Sequence, residues 1–195
     1  NVDNTGTPYG KDVLSNQAAV VKQGVAVRDA VRHVLYKTGR NKVILVGHSM
    51  GGLAVREFMR SHYNNDVAKI VTIGTPHYGS NLTEIPLMEF TPMNIDTRSE
   101  AVRDLSRSST FLFGGKEDSY ENLFFYDNVD INCNEITTDN IVGLNQDYRN
   151  LDLVARIYIV SRFIKTVGID GDGGVGIRSQ YINPSGTIMT DRPHI

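Results

Sequence analysis

The chain has 195 residues, of which 40% are hydrophobic and 22% charged, a composition typical of a single globular domain with a sizeable core. Its net charge of −2 and the absence of a basic run interleaved with aromatic residues argue against nucleic acid as a partner. The single cysteine, Cys133, excludes an internal disulfide and a multi-cysteine zinc site, and no apolar run has the length that spans a bilayer.

The hydrophobic pattern predicts helices that alternate with strands. Apolar residues recur at steps of three, four and seven over residues 17–37, which predicts an amphipathic helix. Runs of Val, Ile and Leu over 42–46 and 67–73 predict parallel strands buried on both faces, with a second helix between them over 53–62. Residues 156–163 predict a third strand. This order implies right-handed crossover connections and a mostly parallel sheet with helices on both faces.

A long irregular stretch over residues 80–150 separates the second predicted strand from the third. It contains Pro86 and Pro92 and an Asn- and Asp-rich section. Insertions of this length inside a compact α/β domain are usually functional, so we expect a cap or lid here. A solvated excursion on the surface is the alternative.

The glycine-rich turn around Ser49 carries the strongest chemical signal. Gly47-x-Ser49-x-Gly51 stands between a predicted buried strand and a predicted helix, where a nucleophile elbow must stand. A serine on such a turn is strained, so glycine is expected two residues before it and two after it, and Gly52 adds room for helix and strand to approach. The Met50 backbone N–H, at the positive end of the helix dipole, is the natural first donor to an oxyanion.

Two segments carry a resemblance to a known family. VILVGHSMGGLAVREF and IVTIGTPHYGS look like the core of bacterial lipases and lipase-like esterases, and are similar to GPI inositol-deacylase-like hydrolases. The resemblance covers residues 17–80 well and 156–195 moderately. It implies one α/β-hydrolase domain over 1–195, a mostly parallel sheet flanked by helices, and a cap at about 80–150. It also places His48, Thr75, Pro76 and His77 at the substrate site, and weakly favours a secreted protein.

The implied activity is hydrolysis of carboxylic esters, in acylglycerols or other acyl esters, through an acyl-enzyme. No transmembrane segment is expected. An apolar cluster in the cap would line an acyl pocket or contact a lipid interface, or else would pack the insertion onto the core. This cluster comprises Ile85, Leu87, Met88, Phe90 and Met93.

A serine nucleophile needs an imidazole base that is oriented by a carboxylate, and in this fold the chain order is Ser, acid, His. Of the five histidines, His194 fits that order, while His77 remains an alternative base. Asp172, in Gly-Asp-Gly-Gly-Val, resembles the aspartate of the lipase Asp-Gly-x-Val segment and precedes His194 by 22 residues. Asp170 is a competing acid, and both aspartates could instead be turn formers.

No cofactor is expected, although Asp170 and Asp172 offer oxygen ligands for a structural calcium ion, as in some bacterial lipases. Lipases of this type take a second oxyanion donor from a His-Gly loop, and residues 1–16 contain no His-Gly pair. We therefore expect either a segment of a longer protein or a contribution from elsewhere. Two other functions stay open: a serine hydrolase of thioesters or amides, and a non-catalytic binding protein of hydrolase-like fold.

Overall fold

Helices alternate with strands over residues 20–73, and strands predominate in the described residues from Ala155 onward. The computed structural model describes residues 18, 20–80, 101, 105, 148–161, 164–166, 169–171, 174–182 and 186–190. In chain order these residues form α1 (Val20–Thr38), β1 (Val43–His48), α2 (Gly51–Ser61), β2 (Val67–Ile73), β3 (Ala155–Ser161), β4 (Ile164–Thr166), β5 (Ile169–Gly171) and β6 (Thr187–Thr190). Short 3₁₀ helices cover Leu151–Leu153 and Ile177–Gln180.

The main sheet of the described residues has the strand order β1-β2-β3-β6, and all three pairings are parallel. This confirms the predicted parallel sheet. His48 of β1 pairs with Ile73 of β2, which pairs in turn with Ile159 of β3. The carboxyl ends of these strands therefore meet at one edge, which is where open α/β sheets place their sites. Strands β4 and β5 form a small antiparallel hairpin.

Helices α1 and α2 cover one face of this sheet with a shared apolar core. Val31 of α1 and Phe58 of α2 belong to one buried cluster, and Val43 and Leu45 of β1 pack against it. The predicted periodicity places these side chains on the inner stripes of both helices. The helices cross closely at Gly24, where a Cβ would come within 2.5 Å of the Glu57 Cγ, so the crossing requires a glycine.

The opposite face of the sheet differs from the prediction that β1 is buried on both sides. Ile44 and Val46 of β1 are 61% and 62% exposed, and Ile188 of β6 is 52% exposed. Ile44 and Val46 alternate with Val43 and Leu45, which pack against the helices, so they point away from both helices. The expectation of burial on both faces is wrong for β1 because both described helices pack on the same side.

The predicted cap lies almost wholly outside the described residues. Of that stretch the structure places Ala101, which is buried, and Leu105, whose carbonyl accepts a hydrogen bond of 3.0 Å from the Ser80 N–H. The cap therefore stays a prediction. Neither helix in the described part of the chain is long and apolar enough to cross a membrane.

Candidate active site

Ser49 occupies a sharp turn between β1 and α2. Its φ of 51° is in the left-handed region, which costs a non-glycine residue on the order of 1–3 kcal/mol unless its surroundings hold it there. Two hydrogen bonds do so: the Ser49 N–H donates to the Ile73 carbonyl (2.9 Å), and the Ser49 carbonyl accepts from the Gly52 N–H (3.0 Å). The serine is thus fixed to the neighbouring strand on one side and to the helix on the other.

Close contacts explain two of the glycines in the turn but not the third. A Cβ on Gly47 would come within 2.5 Å of the Gly52 Cα, and a Cβ on Gly52 would overlap the Thr75 side chain. A Cβ on Gly51 meets no atom of the described residues within 4 Å. The sequence predicted that position 51 must be glycine for steric reasons. Among the described residues no atom imposes this requirement at Gly51, whereas Thr75 imposes it at Gly52.

The Met50 N–H lies at the start of α2. The Met50 carbonyl accepts from Leu53 (2.9 Å) and Ala54 (3.3 Å), which are the first bonds of the helix. Among the described residues the Met50 N–H itself has no acceptor. A free N–H at the positive end of a helix is a donor for an anionic oxygen. The Met50 side chain is held from α1, because the Gln23 Nε2 lies 3.7 Å from its Sδ.

His77 follows β2 and is completely buried. Its Nδ1 lies 3.4 Å from the Arg56 Nη1, and its Nε2 lies 3.2 Å from the Thr72 Oγ1. A guanidinium only donates hydrogen bonds, so Nδ1 must accept and the proton of the neutral ring is on Nε2. Burial lowers the pKa of His77 well below its usual value, and the positive charge of Arg56 lowers it further. The imidazole is neutral, with both nitrogens engaged inside the protein.

Arg56, on α2, supports the loop after β2 from the protein interior. Its Nη1 donates to the His77 carbonyl (3.1 Å), and its guanidinium lies 5.7 Å from the centre of the Tyr148 ring. Burial lowers the pKa of Arg56 to about 10, which leaves the side chain charged at neutral pH. The sequence-based reasoning missed this residue. The available signal was its position four residues after Gly52, which places both on the same side of α2.

Ser179 joins the loop after β2 to the segment that follows β5. Its hydroxyl accepts from the Tyr78 N–H (3.0 Å) and donates to the Gly79 carbonyl (2.6 Å). Its own carbonyl accepts from the His77 N–H (2.6 Å). Sequence-based reasoning assigned no role to Ser179, because the partners of its hydroxyl lie about a hundred residues away in the chain.

Gln180 and Ser80 add further bonds to the same segment. The Gln180 Oε1 accepts from the Ser161 N–H (2.7 Å), while its Nε2 donates to the carbonyls of Ser161 (3.1 Å) and Val175 (2.9 Å). The Ser80 Oγ donates to the Gly174 carbonyl (2.6 Å). Residues 174–180 are thereby tied to the ends of both β2 and β3.

The sequence-predicted site residues fall into two groups. Ser49, Met50 and the exposed His48 lie at the end of β1, and the buried loop of Thr75, Pro76 and His77 follows β2 beside them. The contact between Thr75 and Gly52 brings this loop against the nucleophile turn.

The predicted acid and base lie outside the described residues. Strand β5 ends at Gly171, directly before Asp172, and β6 ends at Thr190, four residues before His194. Asp170 lies within β5, but its side chain is not described. The roles of these three residues remain predictions. Among the side chains that the structure describes, no group of three or more His, Cys, Asp or Glu is placed to hold a metal ion. The calcium loop, which involves Asp170 and Asp172, is therefore still a prediction.

Comparisons with known sequences give one family and several lipases. The family model described as a PGAP1-like alpha/beta domain matches residues 9–149. A triacylglycerol lipase of Pseudarthrobacter phenanthrenivorans is 46% identical over 54 residues, which are 28% of this chain and 17% of that protein. A triacylglycerol lipase of Burkholderia plantarii is also 46% identical over 54 residues, 28% of this chain and 15% of its own length. The matches thus span less than a fifth of either lipase.

Solved structures with a similar fold include two lipid-ester hydrolases. The mature Bacillus licheniformis lipase BlEst2 matches with a TM-score of 0.57 and 18% identity, over 90% of this chain and 67% of that one. Legionella pneumophila phospholipase PlaB matches with a TM-score of 0.51 and 16% identity, over 85% of this chain and 35% of that one. These likenesses confirm the predicted α/β-hydrolase fold.

We predict opposite effects of alanine at two adjacent glycines. Gly52→Ala lowers the free energy of unfolding by about 1–3 kcal/mol, because its Cβ must displace Thr75. Gly51→Ala, in the first turn of α2, leaves stability unchanged or raises it by up to about 1 kcal/mol, because alanine restricts the unfolded chain and meets no described atom. Urea denaturation of both variants measures the difference. Equal destabilisation would contradict the role assigned to Gly52.

We also predict that His77 contributes to acid destabilisation. In the unfolded chain its pKa returns to about 6.5, so below that pH the unfolded state binds a proton that the folded state does not. Stability therefore falls as the pH falls, by up to about 1.4 kcal/mol per unit. His77→Gln should flatten the dependence of unfolding free energy on pH between 7 and 5. His62, whose pKa burial also lowers, is present in both proteins, so the difference isolates His77. Parallel curves would refute the assignment.

Proposed function

The chain belongs to the family of PGAP1-like alpha/beta domains, and we propose that it is a serine hydrolase that cleaves carboxylic esters, as a lipase or esterase does. Ser49 is the nucleophile, His194 the general base and Asp172 the residue that orients the base. The curated relatives it matches in part are named as triacylglycerol lipases, which supports an acyl ester of a lipid as the substrate class.

The observation that carries the proposal is the strained backbone of Ser49. A serine with φ of 51° at the junction of a parallel strand and a helix has no structural advantage over glycine. The conformation does have a chemical use, because in a nucleophile elbow it exposes the serine hydroxyl at the turn where the following helix begins. A nucleophile and an oxyanion donor are then adjacent in the chain.

The general base is best assigned to His194. His77, the alternative from the sequence, has both ring nitrogens engaged by Arg56 and Thr72 and is shielded from solvent. An imidazole whose pKa lies well below its usual value is also a poor proton acceptor. His77 is better suited to supporting the loop after β2. His194 comes four residues after the end of β6 in the sequence, and that strand end lies at the same edge of the parallel sheet as Ser49.

The proposed reaction proceeds through an acyl-enzyme. His194 accepts the proton of the Ser49 hydroxyl as its oxygen attacks the ester carbonyl carbon, and the Met50 N–H donates to the oxygen that becomes negative. Asp172 stabilises the imidazolium. The imidazolium then protonates the departing alcohol, and the C–O bond to it breaks. Water, deprotonated by the same histidine, attacks the acyl carbon and releases the carboxylic acid and free serine.

A labelling and kinetic experiment tests the nucleophile. We expect a fluorophosphonate probe to react with the wild-type protein, and Ser49→Ala to abolish labelling and to lower ester hydrolysis by at least about 10,000-fold. Ser61→Ala is the matched control, since Ser61 at the far end of α2 donates to Glu57 and should label normally. Hydrolysis rates are compared for p-nitrophenyl esters of short and long acyl chains and for thioester and amide analogues. This comparison identifies which type of bond the enzyme cleaves.

Each other result of that experiment points to a different function. A folded wild-type protein that is not labelled at Ser49 would overturn the enzymatic proposal in favour of a binding protein. Faster cleavage of the thioester or amide analogue would retain the nucleophile but reject the ester as the natural bond.

A second pair of variants tests the acid. We expect Asp172→Asn to lower kcat by about 10,000-fold, because the base loses the carboxylate that orients it and stabilises its cation. Asp170→Asn should reduce kcat by less than about tenfold. Steady-state kinetics, with active sites counted by the fluorophosphonate probe, measure both. The reverse order of effects would transfer the acid role to Asp170.

A further inference from the structure

We infer that Ser179 and Ser80 are positioning residues for the catalytic acid, and that they do so by fixing the segment after β5 to the loop beside the nucleophile. This inference rests on the proposed function, in which Asp172 is the acid. We call Ser80 and Ser179 the acid clamp. Neither serine needs to touch the substrate to have this role.

Ser179 makes bonds that require a hydroxyl. The side chain is 2% exposed and works as an acceptor toward the Tyr78 N–H and as a donor toward the Gly79 carbonyl. A hydroxyl is one of the few neutral groups of this size that does both. Replacement by alanine removes the hydroxyl that the part-buried Tyr78 N–H and the Gly79 carbonyl bond to, while the bond from the His77 N–H to the Ser179 carbonyl remains available.

The clamp holds the chain close to the proposed acid. The Ser80 hydroxyl donates to the Gly174 carbonyl, and the Val175 carbonyl accepts from the Gln180 amide. On the other side of Asp172, the β4–β5 hairpin ends at Gly171. Two residues thus connect an ordered strand to a bonded carbonyl, and a chain extends at most about 3.3–3.6 Å per residue. The clamp therefore holds the chain at Gly174, two residues after Asp172 in the sequence.

The other end of the clamp is connected to the nucleophile. Ser80 and the partners of Ser179 belong to the loop after β2, whose Thr75 packs against Gly52 in the first turn of α2. The Ile73 carbonyl at the start of that loop accepts from the Ser49 N–H. One loop is therefore in contact with both the nucleophile turn and the acid segment. A shift of about 1 Å between catalytic groups can lower the rate by about 100-fold. A small displacement of this loop could therefore change the rate as a positioning role requires.

The test compares hydroxyl-deleting variants by kinetics and pH profile. We expect Ser179→Ala to lower kcat by about 10- to 100-fold per labelled site, with little change in KM. The acid limb of the kcat/KM profile should move to lower pH, because an imidazolium without its carboxylate partner has a lower pKa. Ser179→Thr keeps the hydroxyl and should recover much of the rate. Thr38→Ala, which removes an exposed hydroxyl-to-carbonyl bond at the end of α1, is the matched control and should leave the profile unchanged.

A double-mutant cycle separates positioning from general support of the fold. If the clamp acts through the acid, Ser179→Ala should reduce kcat by less than about twofold when Asp172 is already Asn. Should Ser179→Ala fail to fold, Ser80→Ala, which removes the hydroxyl bond to the Gly174 carbonyl, takes its place in every measurement. The inference would be overturned if the reductions in kcat caused by Ser179→Ala and Asp172→Asn multiplied in the double variant. It would also be overturned if Ser179→Ala left the pH profile unchanged and only reduced the amount of folded protein.

The cycle also distinguishes this inference from the proposed function. If the folded wild-type protein is not labelled at Ser49 and hydrolyses no ester, the proposed function fails and the clamp has no acid to position. If the wild-type protein is active and Asp172→Asn is damaging, but the two substitutions act independently, only the inference about Ser179 and Ser80 fails.

Discussion

The close approach of the Gly47 and Gly52 backbones, with the Thr75 side chain packed against Gly52, is the constraint on which the rest of the site depends. Helix α2 can start directly after Ser49 only because Gly47 and Gly52 lack side chains at their contact. That start leaves the Met50 N–H without an acceptor among the described residues, and it forces Ser49 into a left-handed conformation. The hydrogen bond from Ser49 to Ile73 offsets part of that strain, so strand β2 stabilises the turn at Ser49.

Next to this contact lies the buried positive charge of Arg56, at a position where an apolar side chain would avoid the cost of desolvation. Arg56 is desolvated, which lowers its pKa to about 10, and its hydrogen bonds run to the ring and carbonyl of neutral His77. Moving a guanidinium out of water costs several kcal/mol before its partners compensate. Its donors in turn determine the His77 tautomer and hold the loop after β2 in one conformation. Rigid support of a loop beside a nucleophile is a use that justifies such a cost.

Local features of the sequence predicted most of the fold, and long-range contacts account for what they missed. Strand β2 has the predicted bounds, whereas β1 continues through Gly47 and His48 because both pair with β2, which no local pattern reveals. The elbow at Ser49 was predictable because strand, turn and helix are contiguous. The difference between Gly51 and Gly52 was not, because it depends on Thr75. Arg56 and Ser179 were missed for the same reason, since their partners come from other elements.

The turn at Ser49 and the segment after the proposed acid are held in different ways. Ser49 is fixed by backbone hydrogen bonds and glycine contacts, which a short motif encodes completely. Residues 174–180 are fixed largely by side chains, those of Ser80, Ser179 and Gln180, which reach across to other parts of the chain. Side-chain anchors can be changed one at a time without rebuilding a turn. Substitutions at Ser80, Ser179 or Gln180 can therefore shift the segment that follows the proposed acid while the elbow at Ser49 stays unchanged.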